Sequence, residues 1–251
     1  MSYVRTRVAG IRGIIEIDRP EGRNALDGDG WRAIAAATRR HEADPGVRTL
    51  LLQSTGSVFC AGGDVDWMRR SEAAELAVVA DALGALADGA KPVVARVQGP
   101  TYGGGVGLAA ACDLVVASTQ ARFQMSEVRL GVAPALVSRA VIGRVGGARF
   151  RAWALTARAV GADEAAAAGL VDLVCAPEAL EGAIDGICQA LCAGEPVALA
   201  AVKRLFPAGL DGEAAAAELA RLRGREAFAE GIAALREKRP PRWVRGNDGA
   251  P

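Results

Sequence analysis

Val4, Thr6 and Val8 alternate with Arg5 and Arg7 at the start of the chain, the two-residue period of a strand with one covered face. A strand is expected over 4–8 and a second over 13–18, joined by a glycine-bearing turn. Arg19-Pro20-Glu21-Gly22-Arg23-Asn24 interrupts the pattern and reads as a loop. Asp27 is placed to start a helix through Trp31, Ile34 and Ala37, which Asp44-Pro45-Gly46 ends. Thr49-Leu50-Leu51-Leu52 is a continuous apolar run of strand length, the pattern of a strand covered on both faces. A helix is expected from about Asp64, another over 73–87, and a further strand over 92–97. A short helix has to fit between the cluster Gly103-Gly104-Gly105-Val106-Gly107 and a strand over 113–117. After Phe123 the pattern becomes mainly helical and rich in alanine, with a strand over 170–174 as the exception. The result is an α/β front half and a helical back half, with no linker composition between them and no internal repeat. The tail from Gly246 to Pro251 is expected to be disordered.

Composition narrows the function classes. With 251 residues and 51% hydrophobic residues, the chain has the material for a well-buried core. A formal net charge of +1, with arginines scattered along the chain, argues against nucleic-acid or polyanion binding. The five cysteines are odd in number and lie in apolar or helical contexts, which suits reduced thiols in a cytoplasmic protein. Cys188 and Cys192 have helical i,i+4 spacing, but no histidine lies nearby and no C-x-x-C pair exists, so they read as core. No metal site is expected. The N-terminus reads as a strand and not as a signal sequence, and no uncharged apolar stretch is long enough to span a bilayer. His41 is the only histidine, at the polar end of the first helix, where a surface position is expected. Ser-His and Cys-His catalysis and histidine-ligated metals are therefore set aside.

Four glycines within 103–107, directly before a helix, need a reason, because glycine weakens helices. One is tight packing of strand on helix; the other is close approach of a ligand to exposed N–H groups at a helix start. Gly105-Val106-Gly107-Leu108-Ala109-Ala110 also fits a dinucleotide fingerprint, but the next strand begins too soon for a βαβ crossover. A second glycine loop, Val58-Phe59-Cys60-Ala61-Gly62-Gly63-Asp64, likewise follows a strand and leads into a helix. Two such corners can bring two amide N–H groups to one point, an oxyanion hole in which each donor is typically worth ~3 kcal/mol in the transition state.

These segments resemble the crotonase (enoyl-CoA hydratase/isomerase) family. Arg19 to Leu26 is similar to its opening loop, and Phe59-Cys60-Ala61-Gly62-Gly63-Asp64-Val65 to its first oxyanion segment. Lys91-Pro92-Val93-Val94 through Gly103-Gly104-Gly105, then Ala111-Cys112-Asp113-Leu114, resemble the second. Ser126-Glu127-Val128-Arg129-Leu130-Gly131-Val132-Ala133-Pro134 and Ala168-Gly169-Leu170-Val171 complete the series, in the family's order. The resemblance implies a ClpP-like spiral of ββα turns: a core domain over 1–195 with the acyl-CoA site, then a helical trimerisation region over 196–251. It implies a homotrimer or dimer of trimers. It also implies coenzyme A bound as part of the substrate, near Ala61 to Val65, with no separate cofactor.

Carried over by position, the resemblance gives Gly63 and Gly104 as N–H donors to the thioester oxygen and Glu127 as the acid/base. Arg23, Ala61, Gly62, Asp64, Val65, Trp67, Tyr102, Gly103 and Gly107 are implied around the substrate; Tyr102 and Trp67 fit either the acyl pocket or the core. Asp66 is a candidate second acid/base, or a first-turn acid favoured by the helix dipole. Asp64 reads as a helix cap. One departure matters: two-glutamate hydratases carry a second glutamate three residues after the oxyanion glycine, and this chain has Gly107. The variant motifs Gly103 to Leu108, Asp64 to Met68 and Ser126 to Gly131, with Pro134-Ala135, resemble bacterial 3-methylglutaconyl-CoA hydratases. They also resemble carboxygeranoyl-type hydratases and the dehydratases of hydroxymethylglutaryl thioesters; the substrates of all these are branched and carboxylated. The expected activity is hydration or dehydration of a 2-enoyl-CoA. The alternatives are double-bond isomerisation by a single glutamate and non-catalytic acyl-CoA binding.

Overall fold

A computed structural model describes residues 2–205 and 211–247. The opening alternation forms the antiparallel pair β1 (Val4–Ala9) and β2 (Arg12–Ile17), with Val4 opposite Ile17. In the loop that follows, Asn24 is fully buried with φ 56°, a left-handed conformation that asparagine tolerates. Its amide donates to the carbonyls of Thr55 and Val58, both at 2.8 Å, tying the loop to the next strand end. Asp27 caps α1 (Gly28–Ala43) by accepting the Gly30 N–H at 2.9 Å. There follow β3 (Thr49–Ser54), α2 (Val65–Arg70), α3 (Ala73–Asp88), β4 (Val93–Val97), β5 (Thr101–Tyr102), α4 (Gly104–Ala111), β6 (Leu114–Ser118) and β7 (Arg122–Gln124). The back half holds α5 (Ser138–Thr156), β8 (Val160–Gly161), α6 (Ala162–Ala167), β9 (Leu173–Cys175), α7 (Leu180–Ala193), α8 (Pro196–Leu205), α9 (Gly212–Arg223) and α10 (Glu226–Arg236).

Six strands form one sheet in the order β1-β2-β3-β4-β6-β9, parallel from β2 onward. A smaller sheet, β5-β7-β8, runs beside it. Single-residue bridges, Leu26 with Gly63 and Cys60 with Thr101, extend the smaller layer toward the N-terminus. β2, β3, β4 and β6 thus each lead into a short extended step in the second layer and then into a helix, which is the expected ββα spiral. The apolar runs follow from this arrangement. Leu50, Leu52, Val93, Ala95 and Val115 face the main core, whereas Ile14, Leu51, Val94 and Val116 face the other way, against Leu180, Ile184 and Cys188 of α7. Burying each such aliphatic side chain is worth roughly 1.5–3 kcal/mol. Cys188 and Cys192 are buried free thiols on that helix, in line with the core reading.

Three expectations need correction. The strand expected over 170–174 pairs only from Leu173, because Gly169 at φ 89° and the Leu170 N–H, bonded to the Ala165 carbonyl at 2.9 Å, close α6 first. The two-residue β8 had no periodicity to announce it. His41 is buried, not on the surface: its Nε2 lies 2.6 Å from Thr6 Oγ1 and 3.4 Å from the Ile14 carbonyl. Burial holds the imidazole below its ordinary value of 6.5. The fold therefore refuses a proton that the unfolded chain accepts, so this contribution is complete above about pH 6.5 and is lost as the pH falls from there through the folded value. His41→Gln is expected to flatten the pH dependence of urea-unfolding stability between pH 7.5 and 5. A single proton allows at most about 1.4 kcal/mol per pH unit of such slope, and an unchanged slope would count against the assignment.

At the C-terminal end, Lys203 anchors α8, with Nζ 2.9 Å from the Lys91 carbonyl and 2.7 Å from Asp113 Oδ2. Of the tail expected to be disordered, Gly246 and Asn247 belong to a short 3-10 turn, Arg242–Asn247, and 248–251 lie outside the described residues. Among the described residues no single helix is long and apolar enough to cross a membrane.

Candidate active site

The site is built where the bridges of the smaller layer cross-link the two glycine corners. Ala61 N–H donates to the Arg23 carbonyl at 3.0 Å, and Leu26 N–H to the Gly62 carbonyl at 2.9 Å. Asp64 N–H donates to Leu26 at 2.8 Å, Tyr102 N–H to Cys60 at 2.9 Å, and Gly103 N–H to Gln124 at 2.9 Å. The neighbouring amides are thus used up, and no hydrogen bond to the N–H of Gly63 or of Gly104 occurs among the described residues. Gly63 and Gly104 remain half-buried while Gly62, Gly103 and Gly105 are buried.

The two corners touch. A Cβ on Gly104 would lie 3.3 Å from the Gly63 nitrogen and 3.0 Å from Trp31 Cζ2, and one on Gly62 would lie 3.0 Å from the Gly104 nitrogen. Gly62 (φ 91°) and Gly103 (φ 46°) hold backbone conformations that favour glycine, so the turns need them conformationally as well as sterically. The first reason for the glycine cluster therefore holds, since the backbones pack closely, and the same packing leaves the amides of Gly63 and Gly104 near one another.

Glu127 opens a short 3-10 turn, Glu127–Leu130, after Ser126. Its Oε1 is 3.2 Å from where a Cβ on Gly103 would stand, which brings the carboxylate against the turn that starts α4. Its Oε2 is buried with no hydrogen-bond partner among the described residues. Burial pushes the Glu127 carboxyl above its ordinary value of 4.5, and its own backbone N–H offsets part of that. A carboxylate so placed can exchange a proton with a molecule held at the glycine corners.

The remaining expected residues divide. Asp64 caps α2, its Oδ1 accepting the Trp67 N–H at 3.0 Å, and Arg19 lies 3.3 Å from its Oδ2. Arg23 is exposed, with its guanidinium 5.0 Å from the centre of the half-buried Tyr102 ring, so the two share one rim next to Ala61. Val65 is 58% exposed at the start of α2. Gly107 is buried in α4. Trp67, for which the acyl pocket and the core were both open, is buried: its indole N–H donates to Glu75 at 2.9 Å and its ring packs on Gly28 of α1. Asp66 is exposed and lines a surface cleft of about 380 Å³ with Arg19, Asp27, Arg32, Asp64 and Glu75. Among the described residues no group of three His, Cys, Asp or Glu side chains is disposed to hold a metal ion.

Two site residues escaped the sequence reading. Trp31 supports Gly104 from α1, and Met68 covers Gly63, its Sδ 2.6 Å from where a Cβ would be. Both sit at helix positions that read only as apolar; nothing local ties them to the corners.

Comparison with known proteins agrees with the geometry. The family model described as Enoyl-CoA hydratase/isomerase matches residues 8–246. A Rhodobacter capsulatus protein named "Probable enoyl-CoA hydratase" is 34% identical over 263 aligned positions, covering 97% of this chain and 99% of the other. The crystal structure of an enoyl-CoA hydratase from Mycobacterium smegmatis superposes with a TM-score of 0.90 at 30% identity, over 97% of this chain and 99% of the other. Pseudomonas aeruginosa AtuE does so with a TM-score of 0.90 at 30% identity, over 97% and 100%. A ββα spiral of this topology, matched along nearly its whole length in sequence and in structure, places the chain in the enoyl-CoA hydratase/isomerase (crotonase) family of enzymes.

Proposed function

We propose that this protein adds water to, or removes it from, the double bond of a 2-enoyl-CoA. The observation that carries the reading is the Glu127 carboxylate, its Oε2 without a partner among the described residues, set against the Gly103 turn beside the two unused amides of Gly63 and Gly104. In the hydration direction, Glu127 takes a proton from water as the water oxygen bonds to the β-carbon. The π electrons move to the thioester oxygen, held by the Gly63 and Gly104 N–H groups. The enolate then takes the proton from Glu127 at the α-carbon, and the carboxylate is restored. One carboxylate serves both steps.

The substrate class in this reading is a branched, carboxylated acyl thioester such as 3-methylglutaconyl-CoA, a choice that rests on the variant motifs around Gly103 and Pro134. Coenzyme A, the carrier part of the substrate, lies along Ala61 to Val65, with Arg23 and Tyr102 on the same rim. Residues 1–195 form the catalytic core, and 196–251 serve assembly into a trimer or a dimer of trimers in the cytoplasm. Val202, Leu219, Phe228 and Leu235, all exposed on α8, α9 and α10, support that assignment.

A second reading, double-bond isomerisation, is favoured by one feature: Gly107 leaves Glu127 without a second carboxylate on α4. Incubation with 2-enoyl and 3-enoyl thioesters in ¹⁸O-labelled water separates the two. Label in the product of the 2-enoyl substrate is expected; migration of the 3-enoyl double bond without label would replace the hydratase reading by the isomerase. Tight CoA-thioester binding with neither reaction would make the protein a non-catalytic binder.

A further inference from the structure

Gly103 immediately precedes α4 and Gly107 lies inside it, four residues on, and the Gly107 N–H donates to the Gly103 carbonyl at 3.3 Å. The groups facing them differ sharply. Opposite Gly103 stands the Glu127 carboxylate; opposite Gly107 stands Val137. A Cβ on Gly107 would come 2.7 Å from Val137 Cβ, closer still to its Cγ1, and 3.5 Å from Leu83 Cδ1. Real Cβ atoms essentially never approach others below 3.0 Å, so either Val137 gives way or residue 107 has no side chain.

Val137 is poorly able to give way. It is 3% exposed, and its carbonyl accepts the Val141 N–H at 3.1 Å at the entry to α5. Its branched Cβ leaves few rotamers. The same segment carries the carboxylate: Val132 N–H bonds to the Glu127 carbonyl at 3.2 Å, and Ser138 N–H to the Ala135 carbonyl at 3.3 Å. One compact loop therefore presents an acid/base to the first turn of α4 and an apolar plug to the second, about 5.4 Å further along the axis.

We propose that Val137 is a specificity-determining residue of this site: by filling the space over Gly107 it excludes a second proton-handling side chain from α4 and confines proton transfer to Glu127. The inference rests on the hydratase reading above and deepens it. Without Val137, a carboxylate on residue 107 would share that face of α4 with Glu127, and two like charges so close would split their ionisations. With Val137 in place, hydrocarbon from Val137 and Leu83 occupies the space over Gly107. The proton taken from water and the proton given to the α-carbon pass through the same carboxylate.

The test uses Gly107→Ala, Val137→Gly, their combination, and Gly107→Glu/Val137→Gly, all in the full chain. Gly107→Ala alone is expected to lower Tm by about 2–10 °C, the range for overpacking in a chain of this size. Val137→Gly in the same chain should recover more than half of that loss. Wild-type-like stability of Gly107→Ala, or no recovery in the combination, would overturn the proposal without reference to substrate. The second readout is the pH profile of kcat/KM with a 2-enoyl thioester. A single acidic limb is expected for the wild type, and Gly107→Glu/Val137→Gly should add a second ionisation, a change that a merely structural role for Val137 would not produce. A profile still fitted by one ionisation in that folded variant would also overturn it. Absence of any thioester turnover by the wild type is a different result: it removes the hydratase reading, while the stability coupling still reports on the packing.

Discussion

Glu127→Gln is expected to lower kcat by roughly 10²–10⁴, the usual contribution of a positioned acid/base, while leaving thioester affinity within a few-fold. Glutamine keeps the shape of the side chain against Gly103 and its buried outer atom, so substrate loses no surface to bind. It loses only the group that exchanges a proton. The pH dependence sharpens the expectation. Burial holds the Glu127 carboxyl above the ordinary 4.5, and hydration needs the ionised form to accept a proton from water. The acidic limb of kcat/KM should therefore lie above the usual glutamate range, with activity falling as the pH drops through it, and the limb should vanish in Glu127→Gln.

Stability should move the other way from activity. A carboxyl whose folded value is raised is favoured in the fold at low pH, and that advantage is lost as the pH rises through the folded value. Above the folded value the wild type carries an incompletely paired charge with one buried oxygen, and Glu127→Gln removes it. Urea unfolding at pH 7.5 is expected to show the variant at least as stable as the wild type. A variant both inactive and clearly less stable would point to a structural role for Glu127. Near-normal turnover would take it out of the mechanism altogether.

The parts of this fold that could be read from the chain are those whose physics is local. Leu50, Leu51 and Leu52 alternate between two different cores, and a strand covered on both faces writes that as an unbroken apolar run. Asp27 and Asp64 announce α1 and α2 because an N-cap acts on amides two or three residues away. The glycine corners were visible for the same reason: positive φ at Gly62 and Gly103 is a local demand that few other residues meet. Glu127 was placed by its motif, and its environment explains why a carboxylate there is useful.

What stayed hidden was decided by partners far along the chain. His41 looks like a polar helix end until Thr6, 35 residues earlier, and the Ile14 carbonyl close over it. Trp67 sits beside the first corner in sequence, yet the free N–H of its indole finds Glu75 and turns the ring into the core. Gly107 reads as a missing glutamate; only the fold shows Val137, thirty positions on, standing in the space. Asp66 follows the same rule in reverse. Its position in the first turn of α2 satisfies the helix dipole, and the helix directs it to the cleft that it shares with Arg19, Arg32 and Asp64.

The second large effect is expected at Gly104. Its Cα faces the first corner so closely that a Cβ there would lie 3.3 Å from both the Gly62 Cα and the Gly63 nitrogen, and 3.0 Å from Trp31 Cζ2. Alanine at this position is therefore already tight, and valine adds two methyl groups beside the Gly63 N–H, where the thioester oxygen is proposed to bind. Removing one donor from an oxyanion hole commonly reduces kcat by about 10²–10³. Gly104→Val obstructs one donor and crowds the other, so kcat/KM should fall by at least that factor, with Gly104→Ala in between. Unlike Glu127→Gln, this variant should also weaken thioester binding, because the oxygen is held in the ground state by the same two amides. Calorimetric titration with a non-reactive acyl-CoA, set beside the thermal unfolding curve, separates a blocked site from a collapsed one. The expected pattern is a folded protein with weakened thioester affinity; unchanged affinity and rate in Gly104→Val would mean that the oxygen is held elsewhere, and the two glycine corners would then be packing and nothing more.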